Sequence, residues 1–118
     1  MTTDHDALKA GGIDFEQALE RFGGNEALYR RLSAKFVDDP HFAELEAALE
    51  HGDADAAQRA AHSLKGVAGN LSFGILYDVS CRMNDNLRNG DVAAAQKLMP
   101  ELRSAYEQVC ATLKTMAS

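Results

Sequence analysis

The sequence has few of the residues that build disulfide frameworks, metal centres or membrane spans. Its 118 residues include two cysteines, two prolines and no tryptophan. Cys81 and Cys110 are far apart and form no CxxC pair, which argues against a disulfide framework or a zinc site. No run of about 18 apolar residues is present, so we expect no membrane span. Residues 1–6 are polar and acidic and have no apolar signal-peptide core, so we expect a cytoplasmic location.

Clustered positive charge is also scarce. The chain carries 12 lysines and arginines against 18 aspartates and glutamates, for a formal net charge of −6. Basic groups such as Arg30-Arg31 are short, and phosphate backbones require clustered cations, so the composition disfavours nucleic acid as a partner. The length suits one domain, which at this size buries a core without disulfides or bound metal.

The sequence is rich in helical periodicity. Apolar residues recur at spacings of three and four, and no segment sustains a period of two. Asp14, Asn25, Asp53 and Asp91 each stand just before such a pattern, where a short polar side chain caps a helix. The predicted helices span about 14–22, 25–36, 40–50, 54–71, 73–89 and 92–116.

The predicted fold is all-α, an antiparallel up-and-down four-helix bundle with one or two short additional N-terminal helices. Turns of roughly two to four residues, rich in glycine and aspartate, favour antiparallel neighbours. We expect residues 1–12 to form a flexible tail and residues 13–118 to form a single domain. Pro40 starts a new helix or kinks a longer one, and Pro100 is placed to kink the last helix.

One stretch, residues 61–71, presents two faces of different chemistry. On a helical wheel that advances about 100° per residue, Gly66 and Gly69 fall within about 40° of His62, and Lys65 lies about 60° away. The opposite face is apolar and consists of Ala57, Ala60, Leu64, Val67, Ala68 and Leu71. That face can therefore be buried while His62 faces away from it.

The glycines beside His62 indicate a surface that is kept bare. A glycine inside a helix is less favourable than alanine by about 0.5–1 kcal/mol, and here two occur within one turn. Gln58 and Arg59 flank the histidine one turn earlier. We therefore assign Gly66, Gly69, Gln58 and Arg59 to a surface that a partner approaches closely.

This surface supports phosphoryl transfer. A neutral imidazole at His62 is a nucleophile that can attack phosphorus and form a phosphoramidate. The ammonium of Lys65, one turn later, can neutralise the phosphoryl oxygens. Such transfer requires positioning and charge neutralisation more than covalent chemistry from the protein. Nothing in the sequence is suited to hold Mg²⁺, so we expect no metal site and no bound cofactor, with Mg²⁺ held by the partner.

These features resemble the histidine-containing phosphotransfer (HPt) domain family of multistep two-component phosphorelays. The run His-Ser-Leu-Lys-Gly-Val-Ala-Gly-Asn-Leu at 62–71 is similar to the family signature. Residues 13–36, the Gly-Asp pair at 52–53 and Asn-Gly-Asp at 89–91 are similar to other family features, so the resemblance covers nearly the whole chain. Ser72-Phe73 departs from the Gly-Ala that is common in the family.

The resemblance implies roles for particular residues. His62 would be the phosphoacceptor, Lys65 would stabilise phosphohistidine, and Gly66 would permit close approach. Gly69 matches a position that a small residue usually occupies in the family. Some family members place a glutamine or glutamate from the following helix near the histidine. The corresponding residue here is Asn84, whose shorter side chain puts that orienting role in question.

The resemblance also implies the partners, which are response-regulator receiver domains and a hybrid sensor histidine kinase. The chain would pass a phosphoryl group between receiver aspartates, as a monomer and without kinase or ATPase activity of its own. A helical adaptor that docks signalling proteins without transfer stays open as an alternative. The dimerisation domain of a sensor kinase is disfavoured, because Ser63 follows the histidine where those domains usually have an acidic residue.

Overall fold

The computed structural model describes residues 8–117, and these residues are helical with no strand. The predicted all-α class is therefore confirmed. The helices are α1 (Phe15–Arg21), α2 (Glu26–Ala34), a 3-10 turn (Lys35–Asp38), α3 (His41–Glu50), α4 (Ala54–Asn70), α5 (Gly74–Arg88) and α6 (Val92–Ala117).

Four helices begin at the capping residues that the sequence predicts. The side chains of Asp14, Asn25, Asp53 and Asp91 each accept a hydrogen bond from the backbone N–H three residues later, at 3.0–3.1 Å. These bonds satisfy backbone donors that the first turn of a helix leaves without a partner. The predicted start of α4, which carries His62, is thus set by the cap at Asp53.

The two prolines have different consequences. Pro40 precedes a new helix, because the 3-10 turn ends at Asp38 and α3 begins at His41. Pro100 lies inside α6, which runs from Val92 to Ala117 as one helix. Of the two alternatives predicted at Pro40, a new helix or a kink in a longer one, the structure shows the new helix.

The N-terminal segment differs from the predicted flexible tail at residues 8–12. Residues 8–10 are helical, and Leu8 is 8% exposed. Side chains of α6 hold the segment, since Gln108 donates to the carbonyl of Ala10 and Thr112 donates to that of Gly11. The segment docks because Leu8 is apolar, and its burial against the rest of the fold is favourable. Residues 1–7 lie outside the described part of the chain.

The central helix α4 packs against both α3 and α5, and α6 packs against α5, α3 and α2. The face of α4 that enters the core is the apolar face of the wheel, with its buried side chains at Ala57, Ala60, Ala61, Leu64 and Ala68. Burial of this stripe fixes the rotation of the helix. His62 consequently lies on the exposed side of α4.

The end of α4 is tied to the N-terminal helices. Buried Tyr29 of α2 donates a 2.6 Å hydrogen bond from its hydroxyl to the carbonyl of Leu71. Ser72 then adopts a left-handed backbone with φ 61°, and the N–H of Phe73 returns to the carbonyl of Ala68. This is the pattern of a helix that ends in a left-handed residue and satisfies its last carbonyls.

Candidate functional site

His62 is exposed near the middle of α4, between the buried residues Ala61 and Leu64. Within the described residues no hydrogen bond or ion pair engages its imidazole. A histidine that serves the core would instead be buried with a partner for each ring nitrogen. The ring is therefore available to a molecule that approaches α4 from solvent.

A depression of about 590 Å³ surrounds His62 between α4 and α5. It brings together five residues that the sequence analysis singled out, Gln58, Arg59, His62, Lys65 and Asn84. Asp55, Ser63 and Arg88 complete its lining. The roles assigned to these residues stay predictions, but the structure places them in one site.

Asn84 lies on α5 and reaches the depression in spite of its short side chain. The residue is 3% exposed, and its Oδ1 has no hydrogen-bond partner among the described residues. A buried acceptor without a partner costs about 1–3 kcal/mol. This amide oxygen is thus an unused acceptor on a residue that lines the same depression as His62.

Arg88 is the site residue that the sequence analysis missed. It is exposed at the last position of α5, four residues after Asn84, and it lines the same depression. The spacing was the available signal, because residues four apart share a face of a helix.

The lining of the depression is positively charged although the chain is acidic. Arg59, Lys65 and Arg88 stand against a single carboxylate, that of Asp55. None of the three cations forms an ion pair within residues 8–117. Free cations around an exposed nucleophile favour the approach of an anionic reactant.

A family model described as Hpt domain matches residues 39–112, more than half of the chain. The chain belongs to the Hpt-domain family. The matched residues include the whole of α4 and α5 and therefore every residue that lines the depression. Hpt domains are phosphotransfer intermediates of phosphorelays that generally lack catalytic activity of their own. Searches of curated proteins and of solved structures gave no match.

The two glycines near His62, Gly66 and Gly69, differ in their surroundings. A Cβ at Gly66 would meet nothing within 4 Å, so the helix is open to solvent there. A Cβ at Gly69 would stand 3.0 Å from the ring of Tyr77. Gly66 therefore fits the predicted bare surface, whereas Gly69 has an internal reason to lack a side chain.

Two large apolar side chains of the Hpt domain are exposed on α5. Ile75 is 49% exposed and Tyr77 is 39% exposed, both in the first turns of α5. The ring of Tyr77 also lies against Gly69 of α4. Residues two apart on a helix do not share a face, so Tyr77 lies on the α4 side of α5 and Ile75 does not. Tyr77 therefore offers exposed apolar surface beside Gly69.

Residues 8–117 of this Hpt domain contain neither a cluster of metal ligands nor a membrane-spanning helix. Across residues 8–117, no group of three or more histidine, cysteine, aspartate or glutamate side chains could hold a metal ion. No helix among those residues is long and apolar enough to cross a membrane. Cys81 and Cys110 are free thiols, each half-buried.

Proposed function

We propose that this Hpt domain accepts a phosphoryl group on His62 from an aspartyl phosphate of a receiver domain. A ring nitrogen of neutral His62 attacks phosphorus, the bond from phosphorus to the aspartyl oxygen breaks, and the aspartate leaves as a carboxylate. The other ring nitrogen keeps its proton, and the product is a phosphoimidazolium. The reverse sequence delivers the group to the aspartate of another receiver domain. The observation that carries the proposal is the exposed, unpartnered His62 in a depression lined by free cations.

In this proposal Lys65 and Arg88 neutralise the negative charge of the phosphoryl group. Both residues line the depression with His62, from α4 and α5 respectively. The transferring phosphoryl group carries negative charge on its three outer oxygens, so positioned cations lower the barrier. The receiver domain would supply Mg²⁺ and the acidic residues that hold it.

We assign Asn84 to a positioning role. Asn84 lines the depression of His62, and its buried, unpartnered Oδ1 would accept the N–H of one ring nitrogen. The other nitrogen then keeps its lone pair for phosphorus. An imidazole held in one tautomer and orientation reacts faster than a freely rotating ring.

The partner would dock over the face that carries Gly66 and Tyr77. Gly66 leaves the backbone of α4 open beside the histidine, and the exposed ring of Tyr77 offers apolar area to bury. We further propose that α3 to α6 form an antiparallel four-helix bundle that holds this face rigid. Their mutual packing and the three-residue connections at 51–53, 71–73 and 89–91 support that arrangement. We also propose that the protein is a monomer and that it is located in the cytoplasm.

Transfer from a panel of phosphorylated receiver domains tests the proposal. We expect at least one receiver to label the chain with a phosphate that is stable in base and labile in acid, the signature of phosphohistidine. The His62→Gln variant should lose the label. His51→Gln is the matched control, because His51 is an exposed histidine that lies outside the depression.

Two results would contradict the proposal. Label that persists in His62→Gln would place the phosphate elsewhere. A receiver that binds the chain tightly yet never labels it would favour the alternative, a non-transferring helical adaptor. Circular dichroism of each variant separates loss of chemistry from loss of fold.

A further inference from the structure

A second cavity, of about 510 Å³, lies where α1, α4 and α5 meet. It shares a single lining residue, Lys65, with the depression beside His62. Of its lining residues, the proposed chemistry at His62 uses Lys65, and the proposed docking face includes Gly66 and Tyr77. Its lining residues other than Lys65 are Gln17, Arg21, Gly66, Ala68, Gly69, Asn70, Ser72, Phe73, Gly74, Tyr77 and Asp78.

Two cations without partners meet at this cavity. Arg21 closes α1 and Lys65 belongs to α4, and both line the cavity. Within residues 8–117 neither side chain forms an ion pair or a hydrogen bond. Asp78 is the one carboxylate among the lining residues. The balance of charge therefore favours an anion.

The N-terminus of α5 borders the same cavity. Phe73 is the residue before the helix and provides no side-chain cap, and Gly74 opens the helix beside it. The first hydrogen bond that returns to this turn comes from the N–H of Tyr77 to the carbonyl of Phe73. The earlier N–H groups have no partner in the helix and carry its partial positive charge.

Ser72 is an independent sign of a ligand. The residue is 3% exposed and lines the cavity, and its Oγ has no hydrogen-bond partner among the described residues. A buried hydroxyl normally finds a partner. A hydroxyl, two cations and free backbone N–H groups together form the donor set that proteins use for phosphate.

We propose that this cavity is a binding site for a free phosphate group, as inorganic phosphate or a small phosphate ester. Arg21 and Lys65 would neutralise its charge, and the first turn of α5 and Ser72 would donate hydrogen bonds to its oxygens. The site is distinct from the phosphoacceptor His62, and it exists whether or not the proposed transfer takes place.

An NMR titration of the ¹⁵N-labelled full chain with inorganic phosphate, at constant pH and ionic strength, tests the site. We expect a saturable shift of the amides of Gly74 and Ile75. Arg21→Gln should weaken the affinity at least about fivefold, as loss of a charge-assisted hydrogen bond does. Asp78→Asn should strengthen it, because that change removes the lining carboxylate.

Two controls make the result decisive. Arg31→Gln removes an exposed arginine of α2 that lines neither cavity, so it should leave the phosphate affinity unchanged. Arg88→Gln removes a cation of the His62 depression only and should also leave it unchanged. Shifts that never saturate, or that Arg21→Gln does not alter, would overturn the proposal. Shifts centred on His62 and abolished by Arg88→Gln would overturn it too, because the phosphate would then occupy the other depression.

Discussion

The ring of Tyr77 lies against Gly69, with its Cε1 and Cδ1 atoms 3.0 and 3.1 Å from the position of a Cβ on that glycine. No comparable neighbour stands at Gly66, where a Cβ would meet nothing within 4 Å. Two glycines three residues apart on one helix therefore have different reasons to be there. One leaves room for a side chain of this chain, and the other leaves the surface open to a partner.

Alanine substitutions should separate the two glycines by stability. Gly66→Ala should raise the free energy of unfolding by about 0.5–1 kcal/mol, the ordinary gain in a helix interior. Gly69→Ala should gain less, because the new methyl group displaces the ring of Tyr77. Urea denaturation measures both values. In a Tyr77→Ala background the full gain at Gly69 should return, and an unchanged difference there would show that the ring is not the cause.

A bulkier change at Gly66 should affect function without loss of fold. Gly66→Leu places a side chain in open space on an exposed turn, so the helix tolerates it. In the proposed complex that side chain would hold the receiver aspartate away from His62. We expect phosphotransfer to fall by a large factor while circular dichroism stays unchanged. Normal transfer in this variant would refute the close approach of the partner at Gly66.

Ser72→Gly should stabilise the protein. Ser72 has a left-handed backbone with φ 61° and a buried hydroxyl without a partner, and both features are unfavourable. Glycine adopts this conformation freely, although it also adds entropy to the unfolded chain. We expect a net gain of about 1 kcal/mol in the free energy of unfolding. A loss of stability on denaturation would show that the hydroxyl has a stabilising partner.

The stability of the protein should fall at high pH because of its tyrosines. Burial, and to a lesser extent Cys110, raises the pKa of Tyr106 from 10.0 to about 12. Burial raises the pKa of Tyr29 further above its usual value, with a smaller effect of Asp14. A raised folded-state pKa means that the stabilisation is complete below pH 10 and is lost as the pH rises toward 12.

Tyr106→Phe isolates one part of this pH dependence. Phenylalanine keeps the ring that stacks on Phe42 but does not titrate. The decline in unfolding free energy between pH 10 and 12 should become shallower by less than about 1 kcal/mol, since water partly reaches this residue. Urea denaturation at a series of pH values measures it. An identical slope in the two proteins would exclude Tyr106 as a contributor.

The positions of the helices and the rotation of α4 were predictable because both depend on the local pattern of apolar and capping residues. The caps at Asp14, Asn25, Asp53 and Asp91 are short-range signals, and each was confirmed. The exposure of His62 follows from the apolar stripe on the other side of its helix.

Features that depend on contacts between distant segments were not predictable from the pattern. Residues 8–12 dock on α6 through Gln108 and Thr112, about a hundred positions later in the chain. The ring beside Gly69 comes from α5, and only the packing of α5 on α4 brings it there. A wheel drawn for α4 alone contains none of these side chains.

Asn84 should affect the rate of transfer more than the fold. Asn84→Leu removes an unpartnered buried amide and keeps a side chain of similar size, so the free energy of unfolding should not fall. The rate of phosphohistidine formation should fall, with the affinity for the receiver unchanged, because only the orientation of the imidazole is lost. Asn84→Gln should restore the rate. A variant that transfers normally with leucine at this position would exclude the positioning role.

Arg88 should contribute to transfer through its charge. Arg88→Gln keeps a polar side chain of similar reach but removes a cation from the His62 depression. We expect the rate of transfer to fall by about tenfold, equivalent to one charge-assisted interaction of about 1.4 kcal/mol in the transition state. Single-turnover transfer from a labelled receiver domain measures the rate.

Arg82 provides the matched control for Arg88, because both are exposed arginines of α5. Arg82 forms two hydrogen bonds to the carboxylate of Glu101, at 2.8 and 2.9 Å, and lines neither the His62 depression nor the second cavity. Arg82→Gln should therefore leave transfer unchanged, with a small effect on stability, as is usual for an exposed ion pair. Equal losses in the two variants would indicate a general effect of net charge on docking, and the specific role of Arg88 would be rejected.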